Sequence, residues 1–251
     1  MAETILVTGA SAGFGQAICQ RLVADGHRVI GAARRIEKLQ ALHEELGEAF
    51  YPLQMDVTDL TQVDHALASL PADWEQIDVL VNNAGLALGL APAQKAETAD
   101  WLTMIQTNII GLTYLTRQIL PQMVERNDGY VINMGSTAGT VPYPGANVYG
   151  ASKAFVKQFS LNLRADLAGK QIRVTNIEPG LCEGTEFSSV RFKGDEKRVE
   201  ALYRDAHAIQ PEDIANTVSW LIQQPKHVNV NRIEIMPVSQ TFGPQPVYRG
   251  D

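Results

Sequence analysis

Cysteine is scarce in this sequence: 251 residues contain two, Cys19 and Cys182. They stand far apart and form no Cys-x-x-Cys pair, which excludes a disulfide framework and a zinc ribbon. Two scattered thiols fit a reducing cytoplasm. The five histidines (His27, His43, His65, His207, His227) show neither His-Glu-x-x-His nor any other ligand spacing, so no protein-built metal site is expected. Basic charge is in deficit, 21 Lys and Arg against 28 Asp and Glu for a net charge of −7, so nucleic acid and anionic membrane surfaces are not expected partners. No apolar run reaches the roughly 18 residues of a membrane span. The opening Met-Ala-Glu-Thr-Ile-Leu-Val-Thr lacks the basic and apolar segments of a secretion signal. Neither a linker, nor a low-complexity run, nor an evident repeat divides the chain, so residues 1–251 are expected to form one domain.

What is present is alternation. Short apolar, β-branched runs at Thr4–Thr8, His27–Ala33, Ala49–Met55, Ile77–Val81, Tyr130–Met134, Ile172–Ile177 and Arg232–Met236 read as strands. Between them, helical patterns fall at Gly13–Asp25, Arg35–Leu46, Asp59–Leu70, Thr98–Arg126 (one long stretch), Asn147–Ala168, Asp195–Ala208 and Pro211–Gln224. Strands apolar at nearly every position are buried on both faces, and parallel neighbours require helical crossovers. The expectation is an α/β fold: a Rossmann-like, doubly wound, seven-stranded parallel sheet with helices on both faces. The one long non-periodic stretch, about 180–193, has the character of an active-site lid, and the wider substrate loop is expected over about 180–210.

The first strand runs directly into a glycine-rich turn, Gly9-Ala10-Ser11-Ala12-Gly13-Phe14-Gly15, and then into a helix. Free N–H groups at a helix start attract phosphate, and glycine lets a pyrophosphate approach the backbone, so this turn is expected to bind a dinucleotide. The second strand ends in Arg34-Arg35, where NAD sites usually carry a carboxylate for the ribose 2′-hydroxyl. An acid would repel a 2′-phosphate and guanidinium groups bind one, so NADP(H) is the expected cofactor.

Tyr149-Gly150-Ala151-Ser152-Lys153 opens the helix after the fifth strand, with Tyr149 and Lys153 four apart on one face. A nearby cation favours phenolate, so Lys153, together with the positive ring of an oxidised nicotinamide, is expected to lower the pKa of Tyr149 and fit it for proton transfer to or from a carbonyl or alcohol oxygen. Ser136 follows the fifth strand at the carboxyl end, where it can hydrogen-bond the same oxygen. Taken alone, Tyr-x-x-x-Lys reads equally as a surface tyrosine and lysine.

The glycine turn, Asn82-Asn83-Ala84-Gly85, Ser136, Tyr149-x-x-x-Lys153 and Pro179-Gly180, in that order, resemble the short-chain dehydrogenase/reductase family over essentially the whole chain. The resemblance implies a catalytic tetrad of Asn108, Ser136, Tyr149 and Lys153, with Asn108 anchoring a water that relays protons to Lys153; read by itself, Asn108 is as well a buried helix amide. It also places Asp56 and Val57 at the adenine, Asn83, Ala84 and Gly85 along the cofactor with Asn83 by its ribose, and Lys153 on the nicotinamide ribose. Asp56 would otherwise be a cap for the following turn. The family's Pro-Gly-x-Val-x-Thr pattern is departed from, since Thr185, expected at the nicotinamide carboxamide, comes one residue late.

The run Gly-Thr-Glu-Phe-Ser-x-Val-Arg-Phe-x-Gly-Asp at 184–195, with Gly-Ser-Thr-Ala-Gly at 135–139, looks like the branch of NADP-dependent 3-hydroxy acid dehydrogenases that includes serine 3-dehydrogenases. A carboxylate substrate needs a cation, and Arg191 either clamps it or is a surface arginine paired with Glu186 or Asp195. Tyr143 and Phe187 are expected to wall the pocket. Two other functions fit the same motifs: a broad carbonyl reductase for neutral ketones and aldehydes, and a non-catalytic NADP(H)-binding regulator. The resemblance further implies a homotetramer, with the tail 237–251 a candidate for its interface.

Overall fold

The computed structural model describes residues 2–242. The expected tail is therefore seen only in part, and residues 243–251 lie outside the described residues. The elements run β1 (Thr4–Thr8), α1 (Gly13–Ala24), β2 (Arg28–Ala33), α2 (Ile36–Leu46), β3 (Phe50–Gln54), α3 (Leu60–Ala68), β4 (Val79–Asn82), α4 (Thr98–Ile105), α5 (Leu112–Arg126), β5 (Gly129–Met134), α6 (Asn147–Asp166), β6 (Ile172–Pro179), α7 (Phe187–Arg191), α8 (Glu196–Tyr203), α9 (Pro211–Gln223) and β7 (Arg232–Ile235).

All seven strands pair in parallel, in the order β3-β2-β1-β4-β5-β6-β7. This is the expected Rossmann-like sheet. Because successive strand side chains point to opposite faces, each strand feeds two cores. Ile5 and Val7 pack with α1, α2 and α9 through Ile18, Leu22, Leu39, Ile214 and Val218. Leu6 packs on the other face with α3, α5 and α6 through Val63, Leu115, Ile119 and Leu163. The chain winds from β1 out to β3 and then returns to begin the other half at β4, so the switch point lies between β1 and β4, where the loops beyond the carboxyl ends part to form a crevice.

Three expectations are corrected. The long helix over 98–126 is interrupted: a π-helical segment, Gln106–Gly111, separates α4 from α5. Gly111 is pressed onto the Val57 carbonyl, which would lie 2.5 Å from a Cβ at that position. π turns inside α-helices recur at functional sites, and this one carries Asn108. The stretch expected to be an unstructured lid contains α7, and the helix expected over 195–208 is the shorter α8.

Candidate active site

The glycine-rich turn is built by close backbone approach. Gly13 has φ +53°, and a Cβ on Gly15 would lie 2.2 Å from the Gly9 carbonyl oxygen. Thr8 ties this turn to the end of β4: its hydroxyl accepts from Asn83 N (3.0 Å) and Ala84 N (2.9 Å), while Asn83 Nδ2 donates to the Thr8 carbonyl (2.8 Å). The Asn83 amide therefore fixes the two loops together. The α1 N-terminus has no side-chain cap and no acid in its first turn. Its first N–H groups remain available to an anion, as a pyrophosphate requires.

Beyond β2, Arg34 is exposed and Arg35 half-buried. Arg35 donates to Ser11 Oγ from Nε (3.3 Å) and Nη2 (3.0 Å), which sets a guanidinium beside the glycine-rich turn. Asp56 accepts from Thr58 N (2.9 Å) and Thr58 Oγ1 (2.7 Å), so it caps its turn and also lines the cleft next to Val57. The cleft, about 610 Å³, runs from Gly9 and Arg34 past Asn83, Ala84 and Gly85 to Ser136, Tyr149, Lys153, Pro179 and Gly180.

Lys153 is 6% exposed, and its Nζ donates to the Met134 carbonyl at 2.8 Å, at the end of β5. Burial lowers its pKa to about 8. Tyr149 is also buried, and burial pushes its phenol up to about 12 against the opposing influences of Ser136 and Arg191. In the protein alone, burial outweighs the charge of Lys153. The ammonium lies 5.9 Å from the ring centroid and is not among the groups that move the phenol; removal from water dominates.

Asn108 spends its side chain within the protein. Nδ2 donates to the Leu86 carbonyl (2.9 Å) and Ser152 Oγ (3.0 Å), and Oδ1 accepts from Leu86 N (3.0 Å). A Cβ on Gly85 would lie 3.3 Å from both Asn108 Oδ1 and Lys153 Nζ, so the absent side chain leaves these two groups facing one point. Ser136 sits at the start of the 137–139 turn, where its Oγ accepts from Ala138 N at 3.1 Å.

The segment after Pro179-Gly180 folds over the cleft. Thr185 lies on the glycine-rich turn, with its Cβ and Cγ2 3.0 Å from the position a Gly13 Cβ would take. Phe187 packs on Tyr149 with ring centroids 5.7 Å apart. Arg191 does not pair with Glu186 or Asp195. Its Nη2 donates to Tyr143 Oη (2.9 Å), its Nε to the Gly89 carbonyl (3.3 Å), and its guanidinium carbon lies 5.4 Å from the Tyr149 ring centroid. Glu186 pairs with Arg35 (2.9 Å) and Lys38 (3.0 Å), which hold its carboxyl below the usual range, while Asp195 caps α8. Lys193 pairs with Asp100 at 2.9 Å.

Sequence reasoning missed several contributors: Thr8, the Met134 carbonyl, Ser152 and Asn147. Asn147 has φ +25° two residues before Tyr149. Its Oδ1 accepts from Trp101 Nε1 (3.1 Å), and its Nδ2 donates to the Ala91 carbonyl (3.1 Å). The motif order alone offered no signal for these, since most are contacts between residues far apart in sequence.

A parallel doubly wound sheet, a glycine-rich turn at its switch point and a buried tyrosine–lysine pair across the cleft define a dinucleotide-dependent oxidoreductase site. The family model for short chain dehydrogenases matches residues 3–196, and the chain belongs to that family. A probable NADP-dependent dehydrogenase of Haemophilus influenzae is 59% identical over 239 residues, 95% of each chain. The NADP-dependent 3-hydroxy acid dehydrogenase YdfG of Salmonella typhi is 59% identical over 245 residues, 98% of this chain and 99% of that protein. Among solved structures, the closed form of a serine dehydrogenase complexed with NADP+ superposes with a TM-score of 0.97 at 56% identity, covering 98% of this chain and all of that one.

Proposed function

We propose that this protein transfers hydride between NADP(H) and the 3-hydroxyl or 3-oxo carbon of small 3-hydroxy acids of the serine class. The observation that carries the substrate class is Arg191, a guanidinium 5.4 Å from the ring of the proton-transferring tyrosine. A 3-hydroxy acid has its carboxylate two bonds from the carbinol carbon, so one molecule spans the two groups. Arginine receives a carboxylate through paired, charge-assisted hydrogen bonds.

The place assigned to the cofactor is supported by the uncapped α1 N-terminus, by Arg35 beside Ser11, and by the Asn108 amide oxygen and Lys153 ammonium facing Gly85. When bound, NADP+ supplies the hydride acceptor and a positively charged ring. The chain's own residues do the rest. Tyr149 takes the hydroxyl proton in oxidation and returns it in reduction, Ser136 orients the same oxygen, and Lys153 stands behind them on the Met134 carbonyl. Phe187 and Tyr143 wall the pocket and exclude water. The balanced reaction is 3-hydroxy acid plus NADP+ giving 3-oxo acid, NADPH and a proton. With serine the product, aminomalonate semialdehyde, is a β-oxo acid and loses CO2.

The test is steady-state turnover with NADP+ or NAD+ across L-serine, D-serine, L-allo-threonine, 3-hydroxyisobutyrate and neutral alcohols of matched length. Arg191→Ala is expected to lower kcat/KM for the hydroxy acids by about 10- to 100-fold, the value of a charged hydrogen bond, and to spare neutral alcohols. An unchanged value for the acids would remove Arg191 from this role and favour the neutral carbonyl substrates. Tyr149→Phe is expected to cost about 10²- to 10⁴-fold in kcat with NADP+ affinity preserved.

The assembly we propose is a homotetramer. Leu102 (61% exposed) and Phe155, stacked on Phe159, present apolar side chains on α4 and α6, while Trp220 does so on α9 near the edge strand β7. A cytoplasmic location rests on the two unbridged cysteines. Sedimentation of the purified protein tests the assembly.

A further inference from the structure

Glu186 docks the lid at the end of the cleft opposite Tyr149. Its Oε1 lies 3.1 Å from Arg35 Nη1 and 3.0 Å from Lys38 Nζ, and its Oε2 lies 2.9 Å from Arg35 Nη2. Arg35 already gives Nε and Nη2 to Ser11 Oγ. A guanidinium has five N–H groups. Two are turned to the glycine-rich turn and one, on Nη1, to Glu186 Oε1, while Nη2 stands 2.9 Å from Oε2, so the carboxylate lies across the outer fork. A phosphate held bidentately on that fork must displace the carboxylate. Lys38 touches the same Oε1 and can keep the carboxylate when Arg35 turns to a phosphate. Glu186 also directly precedes α7, which carries Phe187 and Arg191 at the catalytic end.

We propose that Glu186 competes with the cofactor's 2′-phosphate for Arg35, and thereby sets how strongly the cleft prefers the phosphorylated dinucleotide and how fast the lid releases it. This rests on the reading that Arg35 receives the 2′-phosphate. NAD, with no phosphate there, escapes the competition. The three side chains are between 39% and 49% exposed, so the effect belongs to the range of surface ion pairs.

The experiment compares the wild type, Glu186→Gln, Arg35→Ala and the double variant, using calorimetry for NADP+ and NAD+ and stopped-flow fluorescence for NADPH release. Glu186→Gln is expected to tighten NADP+ by about two- to five-fold and to slow NADPH release by a similar factor, with NAD+ unchanged. The gain shrinks at high salt and is absent in the Arg35→Ala background. If Glu186→Gln leaves NADP+ affinity unchanged or weakens it while Arg35→Ala weakens it, the competition is overturned and the phosphate reading stands. If Arg35→Ala leaves NADP+ affinity unchanged, the phosphate reading falls and the competition with it.

Discussion

Lys153 gives the most direct measurement of what this site costs the fold. The ammonium is 6% exposed, and the acceptor found for it among the described residues is the Met134 carbonyl. Its pKa falls from 10.5 to about 8 because burial disfavours the charge. In the unfolded chain the lysine keeps its proton up to its ordinary value, so between those two pH values the unfolded state binds more protons and stability rises with pH. Below the folded value the penalty is fully present, about 3 kcal/mol at pH 7, and by pH 9.5 less than half of it remains. Lys153→Met removes the penalty but strands the Met134 carbonyl, which costs about 1–3 kcal/mol. The variant should therefore be more stable than the wild type by about 1 kcal/mol at pH 7 and less stable by a similar amount near pH 9.5. Urea unfolding of both proteins at the two pH values and one protein concentration reads the difference. The gap should move by about 2 kcal/mol toward the wild type as pH rises. Stability curves that stay parallel in pH would refute the claim that Lys153 is held by burial against its charge.

Two further substitutions probe the scaffold. Gly15→Ala places a methyl 2.2 Å from the Gly9 carbonyl and should abolish NADPH fluorescence enhancement, while Gly26→Ala, where a Cβ meets nothing within 4 Å, should leave cofactor binding intact despite its positive φ. Asn147→Ala removes the partners of Trp101 Nε1 and the Ala91 carbonyl at a left-handed position, so stability should drop by about 1–3 kcal/mol and KM for hydroxy acids should rise, because the 89–91 loop seats Arg191. Asn147→Gly relieves the backbone only; if it restored KM as well as stability, the side-chain contacts would have no positioning role.

The sheet was legible because its strands announce themselves: β1, β4 and β6 are buried at every position, and only parallel strands covered on both faces read that way. The site motifs were legible because they sit at strand ends and helix starts, whose positions local pattern reveals. The π segment at 106–111 was not, since its apolar periodicity continues that of the helices around it and the deviation comes from Gly111 packing on Val57. Neither were the partners of Lys153, Thr8 and Arg35, which lie 19, 75 and 151 residues away. The burial of Tyr149 was not legible for a related reason. Charge can be counted along a chain, but burial is a property of the assembled fold, and here burial outweighs charge.

That outcome changes how the site works. Burial drives both members of the pair toward neutrality, Tyr149 up to about 12 and Lys153 down to about 8. A phenol so placed is a weak acid unless positive charge is brought to it. Of the protein's own cations, Arg191 is the one that favours its phenolate, and it rides on α7 with Phe187, the ring that packs on Tyr149. The segment that shields the phenol thus also delivers the charge opposing the cost of that shielding. On the proposed reading of the site, Phe187 without Arg191 would leave the phenol buried with no cation of this segment beside it, and Arg191 in open water would act through a screened field. The pH dependence of hydroxy acid oxidation should therefore shift to higher pH in Arg191→Gln, even at saturating substrate, where a role confined to binding the carboxylate would leave the profile in place.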